Sequence, residues 1–381
     1  MKKIYWRPGK VSRRIHLFVA LMAALGLLTV ETVKTRTKQP HYAEKMKAAR
    51  LMRDSMTAIR DYRLKRLGPI DREADPAGSG MIGTLMSPIT SNTGNLEAKQ
   101  TTVNPNWAAV LVDLLKRAGV KKGDYIAIGF SGSFPAMNLA TYCAAAALEL
   151  NPVAISGASA SMWGANEPDL TWLKMEKLLY DQKILPFRSS AATLGGQGDK
   201  ALGMSKKGLE LLQKAITESG LPMIYTSVPK ENIDIRMETY KSIAKDSPIV
   251  VYVNVGGGTV SVGTAVGKKL FKPGLNRRPP ARALSLDSVM TRFAKDGVPI
   301  IHLSNIVELA RRYQLPQTPQ SVPSPGDGVI FWREEYNLWA ASAILALLCG
   351  LLFVLIRMDL GARLFSGPSK SAGPQQPQQM V

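Results

Sequence analysis

The sequence predicts a mostly parallel α/β sheet covered by helices, carried as a single extracytoplasmic domain between two transmembrane helices. Three observations point there. Apolar runs alternate with amphipathic helical stretches over residues 81–315, clusters of Gly and Ser follow the apolar runs, and two uninterrupted apolar stretches flank this region. Strands buried on both faces read as near-continuous apolar runs, and their alternation with helices is the pattern of a parallel sheet.

The flanks set the topology. "LWAASAILALLCGLLFVLI" (338–356) holds 19 residues without a charge, about 28 Å as a helix, which matches the hydrocarbon core of a bilayer. "IHLFVALMAALGLLTV" (15–30) opens a second span over 15–33. It follows a basic stretch, residues 1–14, with Lys2, Lys3, Arg7, Lys10, Arg13 and Arg14 and no acid. A cleaved signal peptide would have the same basic and apolar regions. "GLLTVETVKT" offers no clean small-x-small cleavage site, which favours an uncleaved signal anchor. Arg357, Arg363 and Lys370 follow the second span, so basic residues flank both spans on their outer ends. The positive-inside rule then expects both termini in the cytoplasm of a bacterial cell and the intervening domain outside it.

Of the formal charge of +20, +6 lies in residues 1–30 and +2 in 357–381, leaving +12 on the external part. A basic external domain implies an anionic partner, such as an envelope phosphate, an acidic lipid headgroup or an acidic polymer, and nucleic acid is excluded on that side of the membrane. The two cysteines, Cys143 and Cys349, lie in different parts of the chain and form no disulfide framework.

Within the chain, 41–68 reads as an amphipathic juxtamembrane helix with Met52, Met56, Ile59 and Arg63 on one stripe. The breaker-rich "GPIDREADPAGSG" (68–80) reads as a linker. Helices are expected over 104–119, 135–150, 168–182, 206–220 and 233–246, and again in "LDSVMTRFAKDG" and "IVELARRYQ". Strands are expected at "DYIAIGF", "NPVAIS", "PIVVYVNV" and "VPIIHLSN". The Pro-rich stretch 316–335 reads as an extended tether, and the low-complexity 357–381 as a disordered cytoplasmic tail.

Ligands of parallel α/β sheets bind at the carboxyl ends of strands. Four loops occupy such places: Ser131, Gly132 and Ser133 in "GFSGSFP"; Ser159, Ser161 and Asn166 in "SGASASMWGAN"; Gly256, Gly257, Gly258, Thr259 and Ser261 in "GGGTVSVG"; and His302 to Asn305 in "HLSN". Two chemistries suit them. A serine nucleophile, Ser131 or Ser133, needs a base, and His302 is the histidine available in the external domain. "GFSGS" departs from the G-x-S-x-G elbow, with Ser133 where the last glycine belongs. An anion cup needs less: glycines that let backbone N–H groups converge, and hydroxyls that add donors. The blander reading has the serines capping a helix and the glycines making turns. "GTAVGKK" is not a Walker A loop, with glycines four apart and Lys269 in place of Ser or Thr. No metal-ligand spacing and no cofactor motif is present, so neither a metal nor a cofactor is expected.

The strings "MIGTLMSPITSNTGNLEAKQTTVNPNWAAVLVDLLKRAGVKKGDYIAIGFSGSFPAMNLA", "VAISGASASMWGANEPDLTWLKMEKLL" and "VNVGGGTVSVG" resemble the poly-γ-glutamate system protein family, bacterial membrane proteins associated with poly-γ-glutamate synthesis and export. The resemblance covers roughly residues 81–315. It implies a process: an accessory role beside other membrane subunits of the synthase and export complex, handling a capsule-type polymer with one free carboxylate per unit. It assigns no residue a role. The alternative is an extracytoplasmic serine hydrolase or transferase that trims or anchors the polymer.

Overall fold

In a computed structural model, residues 13–357 are described apart from 246, 264 and 279. The expected basic cytoplasmic start and low-complexity tail fall largely outside the described residues. From the N-terminus come helix α1 (Arg13–Thr32), strand β1 (Lys34–Lys38) and helices α2 (Tyr42–Arg66), α3 (Leu96–Thr102) and α4 (Trp107–Ala118). Strand β2 (Tyr125–Ser131) leads into α5 (Pro135–Ala147), and β3 (Asn151–Gly157) precedes α6 (Trp172–Asp181). Strand β4 (Ala191–Thr193) is followed by α7 (Lys206–Ser219) and α8 (Pro229–Ile243). After β5 (Ile249–Val255) come the short helices α9 (Thr259–Val262) and α10 (Ala265–Leu270) and strand β6 (Gly274–Asn276). Then follow α11 (Val289–Lys295), β7 (Ile300–Leu303), α12 (Ile306–Arg312), β8 (Trp332–Tyr336) and α13 (Leu338–Arg357).

The chain divides into two compact units, Met1–Thr37 with Trp332–Val381, and Lys38–Phe331. In the first, α1 and α13 are both long and apolar enough to cross a membrane. They touch where Gly26 lacks a side chain: a Cβ there would lie 2.8 Å from Ile344 Cγ2. Small residues allow such close approach between apolar helices. Strands β1 and β8 pair as a two-stranded sheet.

The second unit is an α/β domain. Its sheet has the order β4-β3-β2-β5-β7-β6, parallel throughout except for the antiparallel edge strand β6. The chain winds outward from β2 through β3 to β4, then crosses back to β5 and winds the other way. The strand order therefore reverses between β2 and β5, and such a reversal leaves a crevice at the carboxyl ends of the two strands.

Alternation along the strands sends Ala127, Val153, Ile155 and Tyr252 to one face, where they form a core with Tyr240 of α8 and Phe293 of α11. The Tyr252 and Phe293 rings stack with centroids 5.0 Å apart. The other face is covered by α4 and α5, and α2 packs on both. Full burial of each large apolar side chain contributes about 1.5–3 kcal/mol.

Three expectations change. The stripe Met52, Met56, Ile59 of α2 is fully buried, so this helix is part of the domain core, and the domain starts at Lys38 instead of near Met81. The "linker" 68–80 is folded: the buried Asp75 carboxylate accepts from Ser79 N at 3.0 Å, Ser79 Oγ at 2.9 Å and Gly80 N at 2.7 Å. The Pro-rich "tether" is docked. Asn106 donates to Ser324 O at 3.0 Å and accepts from Gly326 N at 3.1 Å, Phe331 is buried, and β8 follows at once. Proline-rich chain excludes a helix, but it does not exclude packing when its carbonyls find donors.

Candidate functional site

Strand β2 ends at Ser131 and the chain turns into α5, whose first residue is Pro135. The serines do not cap that helix. Phe134 is the N-cap residue, without a side-chain cap bond. Instead they tie loops together. Ser131 Oγ accepts from Ser133 N at 3.2 Å, and Ser133 Oγ accepts from Ser161 N at 3.0 Å. The loops lie so close that a Cβ on Gly132 would stand 2.8 Å from Ser159 O. On the other side of β2, Gly256 has φ 91° and faces Ser131, and a Cβ there would be 2.9 Å from Ser131 Cβ. Only glycine tolerates both constraints at position 256.

Around this crossing opens a cleft of about 720 Å³, lined by Ser131, Ser133, Ser159, Ser161, Gly256, Gly257, Gly258, Thr259 and Asn305 among others. It sits at the reversal point of the strand order, within the size range of small-ligand sites. All four predicted loops contribute to it.

Four predicted residues do not line it. Gly132 is a backbone clamp, donating to Gly157 O and accepting from Ala165 N. Asn166 is buried and saturated: it accepts from Thr84 N at 3.0 Å and donates to Thr84 O at 2.8 Å and Thr90 Oγ1 at 2.9 Å. Ser261 is held by Arg236 at 3.3 Å. His302 is the larger correction. It is buried on β7 opposite Asn254 of β5, whose Nδ2 donates to its Nδ1 at 3.2 Å. Burial pushes this imidazole down to about 4. Neither Ser131 nor Ser133 hydrogen-bonds to it among the described residues, so the expected serine–histidine pair does not form.

The residue that meets the serines is Lys99, which belongs to none of the four loops expected from the sequence. It sits on α3, started by Asn95, whose Oδ1 accepts from Ala98 N at 2.7 Å. Such a cap satisfies an otherwise orphaned donor and fixes where the helix begins. Lys99 is 2% exposed. Its ammonium donates to Ser133 O and, at 2.9 Å, to Ser161 Oγ, and it lies 3.8 Å from the centre of the Phe134 ring. Burial, with Lys268 adding to it, pushes it down to about 7. Lys268 also lines the cleft, its stem 3.3 Å from where a Gly257 Cβ would stand. The polar run "SNTGN" (91–95) and Gly196–Gln197 also line the wall. The one usable signal in the sequence was that run followed by the capped "NLEAK".

The electrostatics are one-sided. Lys99 and Lys268 are the charged side chains of the lining, and none of the described lining residues is Asp or Glu. Ser159 Oγ is buried there without a hydrogen-bond partner. Among the described residues no group of side chains suited to a metal ion occurs. Such a cleft can hold an anion with several hydroxyl donors around it. The chain matches no protein-family model, no curated protein and no solved structure.

Proposed function

We propose that the protein is a membrane-anchored accessory component of poly-γ-glutamate synthesis or export, whose external α/β domain binds the anionic polymer in this cleft. The observation that carries the reading is the cleft lining itself: two lysines, a ring of hydroxyls and no carboxylate. A carboxylate entering there meets donors and positive charge with nothing to repel it. The basic balance of the sequence supports a polyanionic partner, and the resemblance of residues 81–315 supplies which polyanion. In this reading α1 and α13 cross the cell membrane, both termini are cytoplasmic, and other membrane subunits of the complex are the remaining partners.

The test uses the full-length protein in detergent micelles with fluorescently end-labelled poly-γ-glutamate, titrated at several salt concentrations. Binding that weakens steadily with salt, and that uncharged dextran of equal length does not show, is the expected result. Salt-independent binding, or none at low salt, contradicts the proposal.

A further inference from the structure

The buried cations of this domain divide unevenly. Lys45 pairs with Asp113 at 3.3 Å, Arg63 with Glu167 at 2.9 Å, and Arg236 with Asp199. Each has the carboxylate that a buried charge needs. Lys99 is as deeply buried and has none among the described residues. Its partners are a carbonyl, a serine hydroxyl and a ring face. A lysine buried this way, with a second lysine in the same cleft and no carboxylate beside it, is displaced toward its neutral amine, so both protonation states are within reach near neutral pH.

We propose that Ser161 and Lys99 are a nucleophile and its general base, and that the cleft carries out acyl transfer through Ser161 on a carboxylate-bearing acyl substrate. The acidic substrate class rests on the anion-binding reading above; the pair itself rests on geometry. Lys99 Nζ lies 2.9 Å from Ser161 Oγ, both residues line the cleft, and the Ser133 carbonyl fixes the direction of the amine. A hydroxyl nucleophile needs a base within hydrogen-bond reach, oriented by a third group. Ser159 Oγ, buried without a partner two residues upstream, is an available donor for the developing oxyanion.

The step balances without any co-reactant beyond the acceptor. The Ser161 hydroxyl proton passes to neutral Lys99 as Oγ bonds the acyl carbon and the carbonyl pair moves onto oxygen. Collapse expels the amine or alcohol, which takes the proton from Lys99 and leaves an ester on Ser161. Water or an amine then gives its proton to Lys99, attacks the ester and releases the acyl product. Lys99 returns the proton to Ser161.

The base must be neutral, so the groups facing Lys99 set its working pH. Lys268 faces it across the cleft, Glu97 is exposed on its own helix, and α12, packed on α3, brings Arg311 and the mutually paired Glu308 and Arg312. The probe is mono-p-nitrophenyl glutarate, an activated ester carrying one carboxylate, incubated with the full-length protein and read by intact mass and peptide mapping. The expected result is a glutaryl adduct on Ser161, formed faster as pH rises with a midpoint near 7. Lys99→Met slows acylation about 100-fold or more at pH 7, and Lys99→Arg does not restore it. If Lys99→Met fails to fold by circular dichroism, the adduct position and the pH profile of the unaltered protein decide alone. No adduct between pH 6 and 9, an adduct on Ser131 or Ser133, or a pH-independent rate overturns the proposal. Polymer binding measured on the same sample separates the two readings: binding without acylation sinks this one alone, and Ser161 acylation without binding sinks the other alone.

Discussion

At the scale of single residues, the behaviour of the cleft turns on the protonation of Lys99. Its ordinary value is 10.5, and burial brings it down to about 7 in the folded chain. Between those values the unfolded chain holds a proton that the folded one has released, so folding stability attributable to Lys99 is full above about 10.5 and is lost as pH falls through 7. Urea melts should therefore show the unaltered protein gaining stability from pH 7 to pH 9 relative to Lys99→Met. An equal slope for both would mean that the ammonium is not buried. Polymer binding should run the other way. A bound carboxylate favours the charged amine, so binding takes up a proton and affinity falls as pH rises past 7. Calorimetry in buffers of different ionisation enthalpy would read that proton directly.

At the scale of elements, the cleft depends on loops held from behind. Arg236 of α8 is buried and reaches Asp199 in the 197–199 turn, Thr193 at the end of β4, and Ser261 of α9, so one guanidinium braces two walls. Arg236→Met leaves Asp199 buried and unpaired, and should cost about 3–5 kcal/mol in a urea melt. Adding Asp199→Leu should return part of that loss; no recovery would mean that the pair is not the brace. The sequence made the parallel sheet and its four carboxyl-end loops legible because apolar runs and glycine-serine clusters are local signals. It hid β4 and β6, three residues each, which form only because a neighbouring strand offers its edge. It also hid Lys99. A lone lysine in a seven-residue helix looks like surface, and what buries it, the loops carrying Ser133, Phe134 and Ser161, is remote in the sequence. His302 misled for the converse reason, since a histidine ending an apolar strand reads as a site residue until Asn254 is found opposite it.

At the scale of the whole molecule, two apolar helices bracket a basic domain, and topology decides what that domain can meet. If both termini are cytoplasmic, protease added to intact spheroplasts should digest residues 38–331 while epitopes placed at either end survive. Loss of the terminal epitopes with the domain protected would reverse the orientation and remove an exported polymer from its reach. The central claim is that the polymer sits in the cleft instead of on the general basic surface, and Lys268→Glu tests it most directly. Lys268 is exposed, so its reversal leaves the core intact. It replaces an attraction of about 1 kcal/mol with a repulsion of similar size at contact distance in water. The measurement is the dissociation constant for poly-γ-glutamate at low salt, with Lys214→Glu, a reversal on α7 outside the cleft lining, as the comparison. The account predicts about tenfold or greater weakening for Lys268→Glu and little change for Lys214→Glu. Equal, small effects from both would contradict it.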